Sequence, residues 1–172
     1  MRLRNKPGVA RAFADMLHTD AGQTYDGAPY VQHLDAVVQV LTRFGETSTE
    51  LLAAGYLHDI WEDSDVDLDT LEDLFGEEVR DLVYAVSDEP GETRQARKAA
   101  TYPKIAMSCG ATKLKLADRI ANVEHGIRTG NKKMLAMYSD EYPGFRLALN
   151  HGHKEEAAMW DHLDYISVAF GL

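Results

Sequence analysis

The segment 57–63 places four ionisable side chains in a markedly apolar stretch, in the order His58, Asp59, Glu62 and Asp63. Buried charges are unfavourable unless they bind a metal ion or pair with one another. On one continuous helix, His58 would lie one turn before Glu62, and Asp59 one turn before Asp63. We therefore predict that this segment is a single helix whose polar groups face a shared partner, for which a divalent metal ion is the best candidate.

Two further residues match this interpretation, because each lies among apolar neighbours on a predicted helix. His33 lies near the start of the amphipathic segment 31–44, and Asp118 lies in the apolar segment 114–121. Two histidines and two carboxylates suit Mn²⁺, Fe²⁺ or Mg²⁺ better than a structural Zn²⁺ site. A bound divalent ion polarises phosphoryl oxygens and activates water, so the set predicts hydrolysis of phosphate esters or anhydrides. The alternative is that all four residues are ordinary polar groups on helix surfaces.

Length and charge restrict the class of protein. The 172 residues suit one domain, and a hydrophobic fraction of 45% excludes general disorder. A net charge of −10 disfavours non-specific binding to nucleic acid or to an anionic membrane. No apolar run approaches the roughly 18 residues of a membrane span, and the single cysteine, Cys109, excludes an internal disulfide. We expect a soluble cytoplasmic protein without nucleic-acid or membrane partners.

The hydrophobic periodicity is helical over nearly the whole chain. A capping pattern at Thr47 and Glu50 opens the helix that we expect to run to Asp63, and Pro103 should end or kink a charged helix at about Tyr102. The remaining helices are predicted at residues 8–18, 31–44, 68–75, 77–86, 111–125, 131–149 and 154–170, with a loop at 20–29. No stretch shows the alternation of a strand. We therefore predict an all-α helical bundle that forms one domain over residues 1–172, with its core at about 10–150 and a C-terminal helix at about 154–170.

Four segments that carry the candidate residues resemble one protein family. They read GAPYVQH at 27–33, LHDIWEDS at 57–64, FGEEVRDLV at 75–83 and KLADRIAN at 115–122. In this order they resemble the HD-domain phosphohydrolases, and among these the hydrolase domain of the RelA/SpoT alarmone enzymes and the stand-alone small alarmone hydrolases. The resemblance covers roughly residues 10–150. It implies an all-helical HD domain, a Mn²⁺ ion, and removal of the 3′-pyrophosphate from guanosine tetraphosphate or pentaphosphate.

The resemblance also implies roles for the matching residues. The implied metal ligands are His33, His58, Asp59 and Asp118. The implied acidic pair, which activates or positions water, is Glu62 and Asp63. Asn122, one turn after the last ligand, matches a residue that contacts the nucleotide. Lys115 and Asn122 also share one polar stripe with Asp118 on the predicted helix, so we expect Lys115 to bind phosphate. Arg119 is a candidate either to bind phosphate or to support the acidic pair.

The loop before His33 departs from the family pattern. Thr24 and Tyr25 stand where the family has a basic pair that cradles the base, and Asp26 stands in a Ser position. We expect positions 24 and 25 to contact substrate still, with weaker or broader base selection because two cations are missing. Two alternatives therefore stay open. One is a phosphohydrolase for another nucleotide, such as a nucleoside monophosphate, a deoxynucleoside triphosphate or NADPH. The other is a catalytically idle nucleotide sensor, against which the intact acidic pair argues.

Overall fold

The computed structural model describes residues 6–171, so the outermost residues of the predicted 1–172 domain lie outside it. The elements are α1 Lys6–Asp20, β1 Thr24–Tyr25, β2 Ala28–Pro29, α2 Val31–Arg43, α3 Thr49–Leu57, α4 Ile60–Asp63, α5 Leu68–Phe75, α6 Glu77–Val86, α7 Arg94–Ala106, α8 Cys109–Thr129, α9 Lys132–Leu149 and α10 Ala157–Ala169. The predicted all-α class is confirmed. Within the described range, no helix combines the length and the apolar character needed to cross a bilayer.

A short antiparallel hairpin interrupts the predicted loop at 20–29, so the expectation of no strand was wrong here. Asp26 and Gly27 form the two-residue turn between β1 and β2, with φ values of 53° and 81°. Positive φ at both turn residues is the geometry that tight hairpins favour, and an Asp-Gly pair adopts it readily. Each strand is only two residues long, which is too short to show an alternating pattern. The hairpin packs Tyr25 against the first turn of α2.

The N-terminus of α3 begins one residue later than the capping pattern predicted. Ser48, rather than Thr47, is the N-cap, and its hydroxyl accepts a hydrogen bond from the backbone N–H of Leu51. The carboxylate of Glu46 accepts hydrogen bonds from the backbone N–H groups of Thr47 and Ser48 at 2.9 and 2.8 Å. The capping pattern predicted that Glu50 would accept a hydrogen bond from the backbone N–H of Thr47. The carboxylate of Glu46 accepts that hydrogen bond instead.

The helix predicted to continue through Asp63 ends instead at Leu57. α4 is a separate turn that begins at Ile60, and Asp59 lies before it with φ −100° and ψ −6°. The single-helix prediction was therefore wrong, because Asp59 departs from helical dihedral angles. The spacing of apolar residues is nearly the same for one helix and for two helices joined at one residue. The junction turns the side chains of His58 and Asp59 toward a common point.

Proline does not end α7. The helix continues through Pro103 to Ala106, beyond the predicted end at Tyr102. Proline removes one backbone donor and usually breaks a helix interior. The final turn persists because its neighbours Tyr102 and Ile105 are buried in the core.

The central helix of the bundle is α8. It is 21 residues long and packs against α2, α3, α6, α7, α9 and α10. Its largest fully buried apolar side chains are Leu114, Leu116 and Ile120. Because neighbours surround α8, Asp118 in the middle of the helix lies within the bundle, where α2 and α3 also bring His33 and His58.

The close approach of α2 and α3 depends on Gly55. A Cβ at this position would lie 2.9 Å from Cγ2 of Val38 and 3.2 Å from Cδ1 of Leu41. Overpacking a core usually costs about 1–3 kcal/mol. We therefore expect Gly55→Ala to lower the free energy of unfolding, measured in urea, by roughly that amount.

The matched control is Gly144 in α9, where a Cβ would meet no heavy atom of residues 6–171 within 4 Å. Gly144→Ala should raise the free energy of unfolding by about 0.5–1 kcal/mol, because alanine favours a helix. Equal stabilisation by the two substitutions would contradict the tight packing at Gly55.

Candidate metal centre

Three parts of the bundle bring the predicted ligands together. His33 lies in the first turn of α2, His58 and Asp59 lie at the junction of α3 and α4, and Asp118 lies in α8. One ligand atom from each of His33, His58 and Asp118 lies within 4.8 Å of the others. Asp59 lies beside this group, with Oδ2 at 3.1 Å from Nε2 of His58 and 3.9 Å from Nε2 of His33. Four residues from distant parts of the sequence can therefore approach one ion.

The imidazole of His58 is oriented as a metal ligand requires. Its Nδ1 lies 2.9 Å from the backbone carbonyl oxygen of Gly55, and Nδ1 carries the proton because a carbonyl only accepts. Nε2 is buried and faces the carboxylates, and although Oδ2 of Asp59 lies 3.1 Å away, Nε2 makes no hydrogen bond of acceptable geometry with any of residues 6–171. Metal-binding histidines are commonly held in this way, with one ring nitrogen donating to a carbonyl and the other directed at the ion.

The electrostatics of the group favour a bound cation. Burial alone would lower the pKa of His58, but the charges of Asp59 and Asp118 outweigh burial and raise it to about 9. Burial would raise the pKa of Asp118, but Lys115 and the two histidines hold it well below its usual range. The raised pKa of His58 reports a strong negative potential at Nε2, and the lowered pKa of Asp118 shows that cationic groups stabilise the ionised carboxylate there. These residues therefore fit a divalent metal ion, whose binding would displace the proton from His58.

Hydrogen bonds orient both carboxylates. The hydroxyl of Tyr30 donates to Oδ2 of Asp59 at 2.5 Å. The side-chain amide of Asn122 donates to Oδ1 of Asp118 at 2.6 Å, and Nζ of Lys115 lies 3.0 Å from its Oδ2. Partners of this kind fix the orientation of metal ligands. Sequence reasoning missed Tyr30, although its position just before α2 and three residues before His33 was an available signal.

Tyr25 contacts the centre from the hairpin. Its ring stacks on the imidazole of His33, with centroids 4.6 Å apart and an interplanar angle of 24°. Its hydroxyl donates to Oδ1 of Asn122 at 2.6 Å. Burial and nearby carboxylates raise the pKa of this phenol, so it stays neutral and can donate. Tyr25 was predicted to contact substrate, and the structure places it against a candidate ligand and a candidate substrate contact.

Glu62 and Asp63 reach the same region from α4. Both line the same cavity as His33, Asp59 and Asp118, and Oε1 of Glu62 accepts a hydrogen bond from the backbone N–H of Asp88 at 3.0 Å. Burial raises the pKa of both carboxyls, and the charge of Asp59 adds to this effect. A raised pKa makes a carboxylate a better proton acceptor near neutral pH. The placement supports the predicted role of the pair in activating water.

The cavity has a volume of about 320 Å³ and a partly cationic wall. Lys115 pairs with Asp118, and Lys98 pairs with Asp88 at 2.8 Å. Arg94 lies on the same wall, where it and Lys98 were not among the predicted substrate contacts. In the sequence, their segment has the pattern of a charged, solvent-exposed helix face. The packing of α7 against α8 directs this face toward the cavity, and the sequence pattern does not show that packing. Cations beside a carboxylate-rich group of candidate metal ligands in one cavity suit a phosphorylated substrate that bridges to a metal.

Two predicted substrate contacts, Thr24 and Arg119, do not line this cavity. Thr24 is exposed on β1. Arg119 is buried, donates to Oε2 of Glu141 at 2.8 Å, and lies over the ring of Phe145 at 4.4 Å. Direct binding of substrate by Arg119 does not match this geometry, because one step along a helix turns a side chain by about 100° from Asp118. Arg119 instead links α8 to α9, since Glu141 and Phe145 both belong to α9.

The chain is similar to known proteins. The sequence profile described as HD domain matches residues 10–139. The Homo sapiens guanosine-3′,5′-bis(diphosphate) 3′-pyrophosphohydrolase MESH1 is 38% identical over 100 residues, which are 57% of this chain and 56% of that protein. A probable guanosine-3′,5′-bis(diphosphate) 3′-pyrophosphohydrolase of Synechocystis is 32% identical over 123 residues, which are 67% of this chain and 16% of that protein. The chain thus spans about half the length of MESH1 and a smaller share of the Synechocystis protein.

The fold is also similar to a solved structure. The structure of a metazoan ortholog of SpoT that hydrolyzes ppGpp matches with a TM-score of 0.80 and 26% sequence identity. The match covers 99% of this chain and 98% of that one. The likeness therefore includes the junction, α8 and the C-terminal helices, and is not confined to the motif segments.

Tyr30→Phe tests the orientation of Asp59, because it removes the hydroxyl donor and keeps the ring. Hydrogen-bond partners of metal ligands commonly contribute about 10–100-fold to metal affinity. We therefore expect calorimetric titration with Mn²⁺ to give an affinity lower by roughly that factor. Tyr142→Phe is the matched control, since the Tyr142 hydroxyl donates to a carboxylate of α10, Asp164. The same Mn²⁺ affinity in both variants would show that Tyr30 does not support a ligand.

Proposed function

The chain belongs to the HD domain family, and we propose that it is a divalent-metal-dependent hydrolase that removes the 3′-pyrophosphate of guanosine tetraphosphate or pentaphosphate. The observation that carries the proposal is the cluster of His33, His58 and Asp118, of which His33 and Asp118 line the same cavity as the acidic pair. Similarity to MESH1 supports the substrate class.

We propose that His33, His58, Asp59 and Asp118 hold one ion. Two imidazoles and two carboxylates suit Mn²⁺, and also Fe²⁺ or Mg²⁺, better than a structural Zn²⁺ site. Mn²⁺ is our preferred assignment, because the family resemblance implies it. When bound, the ion supplies Lewis acidity toward a phosphoryl oxygen and a water molecule.

The acidic pair carries the proton transfer in this proposal. Water adds to the phosphorus next to the 3′ oxygen, and the bond between that phosphorus and the 3′ oxygen breaks. Guanosine tetraphosphate then gives GDP and pyrophosphate. Glu62 or Asp63 accepts the proton of the attacking water and returns a proton to the departing 3′ oxygen, and burial has raised the pKa of both groups for this exchange.

The cationic wall binds the phosphates in this proposal. Lys115 lines the cavity from α8, and Lys98 and Arg94, which also pairs with Glu141, line it from α7. Asn122, on the same stripe of α8 as Lys115, and Tyr25 also line the cavity, where their mutual hydrogen bond can exchange for one to the nucleotide. Charge-assisted hydrogen bonds to phosphate oxygens are stronger than neutral ones, so these cations should dominate substrate affinity.

The proposed partner is a free nucleotide rather than nucleic acid or a membrane. The net charge of −10 agrees with this choice, since it disfavours non-specific binding to polyanions. The cytoplasmic location and the single domain over residues 1–172 stay predictions.

A second candidate is a phosphohydrolase for another nucleotide, such as a nucleoside monophosphate, a deoxynucleoside triphosphate or NADPH. The observation that favours it is the hairpin, where exposed Thr24 and stacked Tyr25 stand in place of two cations. Without those charges, the hairpin offers a phenol and a hydroxyl to the substrate. Such groups discriminate poorly between highly charged guanine nucleotides and less charged compounds.

Glu62→Gln and Asp63→Asn separate proton transfer from metal binding. Each substitution keeps size and hydrogen bonding but removes the base, so we expect kcat to fall by about 100-fold or more. Metal content by plasma mass spectrometry should stay at the wild-type level, because neither residue is a proposed ligand. Glu78→Gln on the exposed start of α6 is the control and should keep full activity. Normal turnover in either active-site variant would remove that residue from the mechanism.

The substrate is tested by product analysis of wild type with Mn²⁺ on guanosine tetraphosphate, GTP, nucleoside monophosphates and NADPH. We expect pyrophosphate and GDP from the tetraphosphate with the highest kcat/KM. Thr24→Arg restores one cation without touching the Tyr25–Asn122 hydrogen bond, and should lower KM for the tetraphosphate by roughly tenfold, the scale of one charge-assisted hydrogen bond. Release of phosphate from another compound, with none from the tetraphosphate, would establish the second candidate instead.

A further inference from the structure

The two histidines of the candidate centre are held in different ways. Nδ1 of His58 donates to the backbone carbonyl oxygen of Gly55, and this hydrogen bond orients its ring. Nδ1 of His33 is buried and has no hydrogen-bond partner within the described range 6–171. Metal-binding histidines commonly use that second nitrogen to fix the ring. The orientation of the His33 imidazole therefore depends on the side chains packed against it.

The ring of Tyr25 lies flat on the imidazole of His33. The two centroids are 4.6 Å apart at an interplanar angle of 24°, whereas Tyr30 meets the same imidazole edge-on at 5.7 Å and 75°. A stacked ring covers one face of the imidazole and restricts its rotation. Tyr25 belongs to a hairpin whose strands are two residues long each. A hairpin this short is not stable alone in water, so contacts with the bundle must hold it in place.

Asp26, in the turn of the hairpin, makes such a contact with α8. Its Oδ2 lies 2.9 Å from Nε2 of His125, and Nδ1 of His125 lies 3.0 Å from a guanidinium nitrogen of Arg128. A guanidinium only donates, so Nδ1 is the acceptor and Nε2 carries the hydrogen that goes to Asp26. Arg128 therefore fixes the histidine tautomer that can hold the hairpin turn.

His125 also touches the ring that stacks on His33. The rings of His125 and Tyr25 meet edge to face, with centroids 4.6 Å apart and an interplanar angle of 61°. The side chain of His125 is only 13% exposed, so water competes little for its hydrogen bond to Asp26. The hydroxyl of Tyr25 donates to Asn122, which is also on α8. Two hydrogen bonds and one ring contact thus dock the hairpin on α8 with Tyr25 against His33.

We propose that the hairpin orients His33 as a metal ligand, with Tyr25 as the contacting ring and with Asp26 and His125 as positioning residues. The inference rests on the proposed metal-dependent hydrolase and deepens it. Tyr25 takes the role that a backbone carbonyl has at the other candidate histidine. Loss of the hydrogen bond between Asp26 and His125 should therefore loosen the imidazole and weaken metal binding, although neither residue is a ligand.

Calorimetric titration with Mn²⁺ tests the link from the turn to the metal. Asp26→Gly removes the carboxylate without strain, because glycine readily adopts the φ of 53°. His125→Phe removes the donor and keeps a ring against Tyr25. Each should lower the Mn²⁺ affinity by roughly three- to tenfold, the scale of one hydrogen bond. The double variant should bind Mn²⁺ about as weakly as the weaker single variant, because both changes break the same hydrogen bond. Asp26→Asn keeps an acceptor and tolerates this φ, and should restore the affinity to within about twofold of wild type.

A second measurement reports on His33 directly. The face of an aromatic ring shifts nearby proton resonances upfield, so the His33 ring protons of the metal-free wild type should lie upfield of their positions in Tyr25→Leu. Asp26→Gly and His125→Phe should move them toward the Tyr25→Leu values, and Asp26→Asn should not. His162→Phe is the control, since it breaks a 2.7 Å hydrogen bond between α10 and a carboxylate of α8, and it should leave both readouts unchanged.

The two measurements separate this inference from the proposed function. Unchanged Mn²⁺ affinity, or unchanged His33 resonances, in both Asp26→Gly and His125→Phe would overturn the role of the hairpin. Multiplied losses of affinity in the double variant, or no rescue by Asp26→Asn, would overturn it as well. Inactivity of the wild type on the whole nucleotide panel, with affinities and resonances as expected, would overturn the proposed hydrolase function alone.

Discussion

The site depends on an electrostatic constraint, since two carboxylates, Asp59 and Asp118, repel each other beside two buried histidines inside the bundle. Each carboxylate makes burial of the other's charge less favourable, and together they raise the pKa of His58 to about 9. Without a compensating cation, such a group is unfavourable in a low-dielectric interior. Lys115 balances part of the charge, and a divalent ion on His33, His58 and the carboxylates would balance the rest. Metal binding should therefore contribute to the stability of the bundle as well as to its chemistry.

The same constraint explains the shape of the scaffold around the site. A continuous helix over 57–63 would direct its side chains outward from one axis, whereas the junction at Asp59 turns the ligands inward and leaves Glu62 and Asp63 on a separate turn. The glycine at position 55 lets α2 and α3 approach closely and supplies the carbonyl that orients His58. Ligand geometry and core packing are therefore set by the same few residues.

Sequence reasoning predicted the features that depend on the hydrophobic pattern and on the order of motifs along the chain. The helical class, the segments around His33, His58 and Asp118, and the family resemblance all follow from residue spacing. It missed the features that depend on single dihedral angles or on distant packing. The break at Asp59 leaves the apolar spacing almost unchanged, and Arg119 differs from Asp118 by one residue yet faces Glu141. The hydrogen bond from Tyr30 to Asp59 joins the start of α2 to the α3–α4 junction, so it exists only once these distant parts of the chain have packed together.

The central claim is that one divalent ion binds between α2, the α3–α4 junction and α8. Anomalous diffraction from crystals of the Mn²⁺-loaded protein, recorded at the manganese edge, tests it most directly. The account predicts one strong peak at a bonding distance of about 2.0–2.3 Å from the ring nitrogens of His33 and His58 and from carboxylate oxygens of Asp118 and Asp59. A peak confined to exposed acidic residues such as Glu77 and Asp81, with none between these four side chains, would contradict it.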